Sequence, residues 1–171
     1  MDFKLTEDQQ AFQKTARDFA QSELPEAAQI CETEASPPTH ELIRKYGEMG
    51  FLGINVPEEY GGLGLGNIDA LIVLEEFAKI SSAIAFPVFE SCVGPVKAIE
   101  HFAEESLKKR VIPEVCSGEM IVAVAMSEPD AGSALTDLKT KGRVTNDKVI
   151  LNGLKRWCSG GGHADGYVVY C

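Results

Sequence analysis

The pattern of apolar and polar positions changes character near residue 118. Before that point apolar residues recur at helical spacing. Phe12, Ala16, Phe19 and Ala20 form one stripe behind a Thr6–Gln9 capping box, which predicts an opening helix. Pro25 permits a bend or a restart, and Ser36-Pro37-Pro38 ends whatever helix runs through Ala27 to Cys31. A further helix is expected from Thr39, with Leu42, Ile43, Tyr46 and Met49 on one face and Gly50 as its stop. After a glycine-studded loop over residues 57–66, the run 68–79 is so strongly apolar that its helix should be buried on most sides, with Glu75 and Glu76 interrupting the run. Residues 91–102 and 104–115 predict two more helices.

From Met120 onward the period is that of strands, predicted over 121–126, 140–145, 148–151, 154–159 and 167–171. Asn146-Asp147 and Asn152-Gly153 are the intervening turns, the second being the stronger hairpin signal. The expected fold class is therefore α+β. An all-α domain over 1–118 precedes an antiparallel, β-barrel-like domain over 119–171. The final strand has nothing after it to pair with or cover it, so the β domain is expected to be incomplete.

Composition narrows the function. A chain of 171 residues, 44% hydrophobic and 25% charged, is an ordinary globular one able to build a real core. Its net charge of -10, with no basic block, argues against nucleic acid and against anionic membranes. Cys31, Cys92, Cys116, Cys158 and Cys171 are scattered and never spaced CxxC. Reduced thiols in a cytoplasm fit that pattern better than a zinc site or a disulfide framework. The opening MDFKLTEDQQ is polar and acidic, unlike a secretory signal or transit peptide, and no apolar run is expected to reach membrane-spanning length.

Two segments carry candidate chemistry. One leaves a strand and becomes a tight loop, Val124-Ala125-Met126-Ser127-Glu128-Pro129-Asp130-Ala131-Gly132-Ser133. The other, Trp157-Cys158-Ser159, precedes Gly160-Gly161-Gly162 and holds the chain's single tryptophan. Each could offer backbone N–H groups and a hydroxyl to a planar, heteroatom-rich ligand such as a flavin, with Trp157 as an apolar wall. The same residues would equally make a surface turn and a core tryptophan.

Three blocks, in their order and spacing, decide between these. They are Met49-Gly50 through Pro57-Glu58-Glu59-Tyr60-Gly61-Gly62; Met126 to Ser133 followed by Leu138-Lys139-Thr140; and Leu151-Asn152-Gly153 through Trp157-Cys158-Ser159 to Gly161. Together they resemble the N-terminal half of the acyl-CoA dehydrogenase family, from Leu5 through Cys171. The resemblance implies FAD as cofactor, with Val124 to Ser133 along the pyrimidine side of the flavin and Ser127 donating near N1 and O2. It implies Trp157 packing against the ring, Ser159 donating to N5 from backbone and hydroxyl, and the glycines letting the chain leave without striking the cofactor. Ser133 would contact the substrate near its thioester or pantetheine arm, or else simply cap a turn.

The reaction implied is α,β-dehydrogenation of an acyl-CoA thioester, a base removing the α-proton as N5 takes hydride. An electron-transfer flavoprotein or similar acceptor and a homo-oligomeric state go with it. The family's base is a glutamate in a C-terminal helical domain, and neither Glu128 nor Glu90 matches it. Glu128 is read as structural. Glu90, with Phe86 and Phe89, stands where the family's helices floor the acyl pocket, or is ordinary helix packing. No catalytic residue is thus expected in this chain, and the chain alone is expected to be inactive. Departures from the family pattern are Asp130 for Gly, Ala134 for Asp, Ser127 and Ser159 for Thr, and Gly160 for Asn. A flavin-dependent monooxygenase or nitroalkane-oxidase-like enzyme of the same architecture remains an alternative, as does a non-catalytic partner-binding module.

Overall fold

The computed structural model describes residues 4–171, so the first three residues of the acidic opening stretch lie outside it. The chain forms two compact units, a helical one ending at Met120 and a β one over Ile121–Cys171.

Helix α1 (Glu7–Glu34) starts at the expected box: Thr6 Oγ1 accepts from the Gln9 N–H at 3.2 Å, and the Gln9 side-chain carbonyl accepts from the Thr6 N–H at 3.1 Å. It runs 28 residues straight through Pro25 with no restart. One backbone bond is lost there, but Ala20, Leu24 and Cys31 are buried to either side of the proline and hold the helix to the core. Ala35, at φ +50°, ends it. Helix α2 (His40–Glu48), capped by Thr39, buries Leu42, Ile43 and Tyr46. Met49, expected on the same face, lies past the last turn and is exposed.

Helix α3 (Asn67–Ala78) buries one face rather than most of its girth; Ile68 and Leu71 are 59% and 56% exposed. Glu76 turns inward instead. The Arg17 guanidinium of α1 grips its carboxylate at 3.0 and 3.1 Å, and Lys79 donates at 2.9 Å. Where one helix from residue 91 was expected there are two, α4 (Ser82–Cys92) and α5 (Pro95–Phe102), broken at Val93-Gly94. By length and composition Ser82–Phe102 is apolar enough to cross a membrane, against the expectation from sequence. Ile84, Ala85, Val88, Cys92 and Val96 are buried in the helical unit, as in a core helix. Helix α6 (Glu105–Cys116) completes the unit. Its centre is aromatic: Phe19, Tyr46, Phe51 and Phe77 meet at centroid distances of 5.1 to 5.9 Å.

In the β unit, β2 (Lys141–Val144) and β3 (Val149–Asn152) form an antiparallel hairpin, closed over Asn146-Asp147 by the Thr145 N–H to Lys148 C=O bond at 2.7 Å. Strands β1 (Val122–Ala125) and β4 (Gly166–Val169) pair in parallel, Val122 opposite Gly166 and Ala125 opposite Val169. Helices followed by a partial, unclosed β region is the fold class the sequence implied, except that β1 and β4 pair in parallel where antiparallel pairing was expected. The expected strand at 154–159 is absent: residues 153–158 form an irregular leg with no ladder partner. Asn152-Gly153 turns no hairpin. Gly153 is required instead because a Cβ there would collide with Thr140.

Candidate functional site

The site residues sit on two segments of the β unit. Beyond β1 the chain doubles back over Glu128-Pro129-Asp130-Ala131, the Glu128 N–H reaching the Ala131 C=O at 2.8 Å. The turn points the Glu128 carboxylate inward, where it accepts from the Lys139 N–H (2.6 Å), the Thr140 N–H (2.9 Å) and the Lys155 ammonium (2.9 Å). Lys155 also donates to the Met126 C=O at 2.9 Å, and the Arg156 N–H to the Ser127 C=O at 2.8 Å. The side chains of the Glu128–Lys155 pair are only 4% and 13% exposed. Hydrogen bonds from Thr140, Lys139 and Lys155 favour the ionised form and hold the Glu128 carboxyl at about 2. A buried ion pair thereby fastens the exit loop of β1 to the leg at 155–157 and sets Ser127 beside Trp157.

Trp157 is not a core residue. Its backbone is left-handed at φ +61° and the residue is 78% exposed, with the Arg156 guanidinium carbon 4.2 Å from the indole centroid. Cys158 is half-buried, and Ser159 opens the turn that carries the three glycines. The Tyr167 hydroxyl closes this turn, donating to the Gly160 C=O and accepting from the Gly162 N–H, both at 3.1 Å. Gly160 meets a packing need within the β unit itself. It is buried against β1, where a Cβ would come to 2.5 Å from that of Ala123. The side chain that sequence reasoning left without a role, Asp165, anchors the far end by accepting from the Ile121 N–H at 2.9 Å.

What the two segments present outward is a set of spare donors. Among the described residues, the N–H groups and hydroxyls of Ser127, Ser133 and Ser159, and the N–H of Gly132, have no acceptor. The Ser133 hydroxyl therefore caps no turn. Val124 and Met126 are half-buried, Ala125, Glu128 and Ala131 buried, and Pro129, Asp130, Gly132 and Ser133 exposed. Asp130 is held by the Lys139 ammonium at 2.7 Å, and Ala134 is exposed. Ser127, Trp157 and Ser159 stand on segments tied directly together, whereas no bond links Gly132 and Ser133 to the leg. An exposed indole beside unpartnered donors fits a flat cofactor with ring heteroatoms. The site loop offers no good proton acceptor: Glu128 holds three donors and is kept ionised, its carboxyl at about 2, and Asp130 is paired with Lys139. Glu90 belongs to the helical unit, buried in α4 with Phe86 and Phe89 at 5.3 Å between ring centroids. Lys155 was missed by sequence reasoning. Its one signal was a charged pair directly before the only tryptophan, and its partner lies 27 residues away.

The model of the acyl-CoA dehydrogenase N-terminal domain matches residues 6–119, and that of the acyl-CoA dehydrogenase middle domain residues 123–171. The glutaryl-CoA dehydrogenase of Desulfococcus multivorans is 36% identical over 99% of this chain and 44% of its own length. Among solved structures, a glutaryl-coenzyme A dehydrogenase in complex with glutaryl-CoA superposes with a TM-score of 0.91 at 35% identity, covering 99% of this chain and 43% of that one. The FAD complex of PigA superposes with a TM-score of 0.88 at 27% identity, covering 99% and 44%. The chain thus spans less than half the length of the proteins it matches.

Proposed function

The chain belongs to the acyl-CoA dehydrogenase family, and from that premise we propose that its β unit is the flavin-facing part of an FAD-dependent enzyme that introduces an α,β double bond into an acyl-CoA thioester. The observation that carries this reading is Trp157, exposed on a left-handed backbone and joined through Arg156 to a loop of unpartnered donors. Bound FAD would supply the hydride acceptor. Trp157 gives its ring a stacking face, Ser127 and Ser159 offer hydroxyl and N–H donors to its heteroatoms, and the Glu128–Lys155 pair keeps these groups in register. Ser133, exposed with a free hydroxyl, suits a substrate contact.

The α-proton goes to a base outside these residues, since the site loop holds no available carboxylate. Acyl-group or fatty-acid metabolism, transfer of the electrons to an electron-transfer flavoprotein, and a homo-oligomer complete the reading. Five cysteines with no disulfide among them suit a reducing compartment such as the cytoplasm. The test is spectroscopic. In a protein of the relatives' length built on these residues, flavin absorption should co-purify and bleach anaerobically on adding acyl-CoA. Protein that takes up no FAD, or a flavin that no acyl-CoA bleaches, removes the proposal.

A further inference from the structure

Arg156 is fixed at its backbone, the N–H on the Ser127 C=O at 2.8 Å, between a buried lysine and an exposed tryptophan. Its side chain turns back over the indole, the guanidinium carbon 4.2 Å from the centroid. Among the described residues no carboxylate forms an ion pair with it. Stability alone does not account for the arrangement. An indole 78% exposed gains little from burial, and a bulky residue at φ +61° is disfavoured by its own Cβ. A planar guanidinium stacked on the ring does restrict it, and fills one of its two faces.

We propose that Arg156 is a positioning residue for the flavin, an inference that rests on the function proposed above. With one indole face backed by Arg156, only the opposite face is available for stacking. The guanidinium also leaves an unneutralised positive charge beside the cofactor. Reduced flavin is richer in electrons than oxidised flavin, so this charge favours the reduced form and raises the potential of the couple.

Two variants and two readouts test it. In the FAD-loaded protein, R156Q should weaken binding of reduced relative to oxidised FAD about tenfold, read as a potential lower by about 30 mV for a two-electron couple. R156K, which keeps the charge, should retain most of the potential. In the flavin-free chain Trp157 is the sole tryptophan, so its emission anisotropy reports the indole directly. It should fall in both variants, because lysine has no planar head group and glutamine's amide is smaller and uncharged, so neither holds the indole as the guanidinium does. An R156Q protein that binds FAD at an unchanged potential overturns the inference and leaves the proposed function standing. A parent protein that takes up no FAD overturns both. If R156Q fails to fold, R156K decides: an indole as immobile as in the parent overturns the inference.

Discussion

Glu128 accepts hydrogen bonds from two backbone N–H groups and the Lys155 ammonium, and its carboxyl is held at about 2. The folded value lies below the unfolded one, so the interaction contributes stability above the ordinary carboxylate range, and that stability is lost as pH falls from about 4.5 toward 2. Glu76, lowered chiefly by Arg17, titrates in the same direction, so the parent should lose stability to acid from both units. Glu128→Gln should be less stable than the parent at neutral pH and should show a shallower loss between those limits, followed as denaturation midpoints. Acid sensitivity equal to the parent's would mean that Glu128 does not hold the loop. At Trp157 the prediction is about binding. Trp157→Ala should weaken FAD by ~1–3 kcal/mol if stacking on a nucleobase is a fair guide, measured by flavin release on dilution. Residue identity made Trp157 and the serines candidates from sequence alone. Lys155 was not, because its meaning is a contact with Glu128 that no local pattern encodes.

Elements were legible where their signals are local and went astray where tertiary contacts override them. The Thr6–Gln9 box and the Thr39 cap act within one turn, and both helices begin where those residues say. Pro25 is a local breaker outweighed by burial of Leu24 and Cys31 along α1. The apolar run of α3 suggested a helix sunk on most sides, yet its most deeply engaged polar residue is Glu76, tied to α1. That tie is testable. Arg17→Ala would leave a buried carboxylate with Lys79 alone, and should lower stability, by less than the full cost of breaking a buried pair because one cation remains and Arg17 itself is partly exposed. Chemical denaturation of the parent and the variant measures it, and an equal midpoint would show Lys79 to be sufficient. In the β unit, the sequence implied a strand over 154–159. The leg instead spends its donors on the exit loop, the Arg156 N–H on Ser127 and the Lys155 ammonium on Met126 and Glu128, and so has no ladder to join.

For the molecule as a whole, the order of three short blocks was more informative than any one of them, since spacing between blocks is fixed by the fold while each block alone could be an ordinary turn. The same view bears on activity. Removing an α-proton requires a carboxylate that is free to accept it, and basicity falls with pKa. On the site loop Glu128 fails both conditions, being engaged by three donors and held at about 2, while Asp130 is engaged by Lys139. The β unit also leaves hairpin side chains bare, Val144 at 78% and Val149 at 58% exposure, with each strand of β2 and β3 paired on one edge only. We therefore expect the 171 residues by themselves to fold into two units and to catalyse nothing. The decisive measurement is acceptor reduction by acyl-CoA, with FAD added and helicity checked by circular dichroism. Turnover by this folded chain would place the base within these 171 residues and would overturn the reading that they supply none.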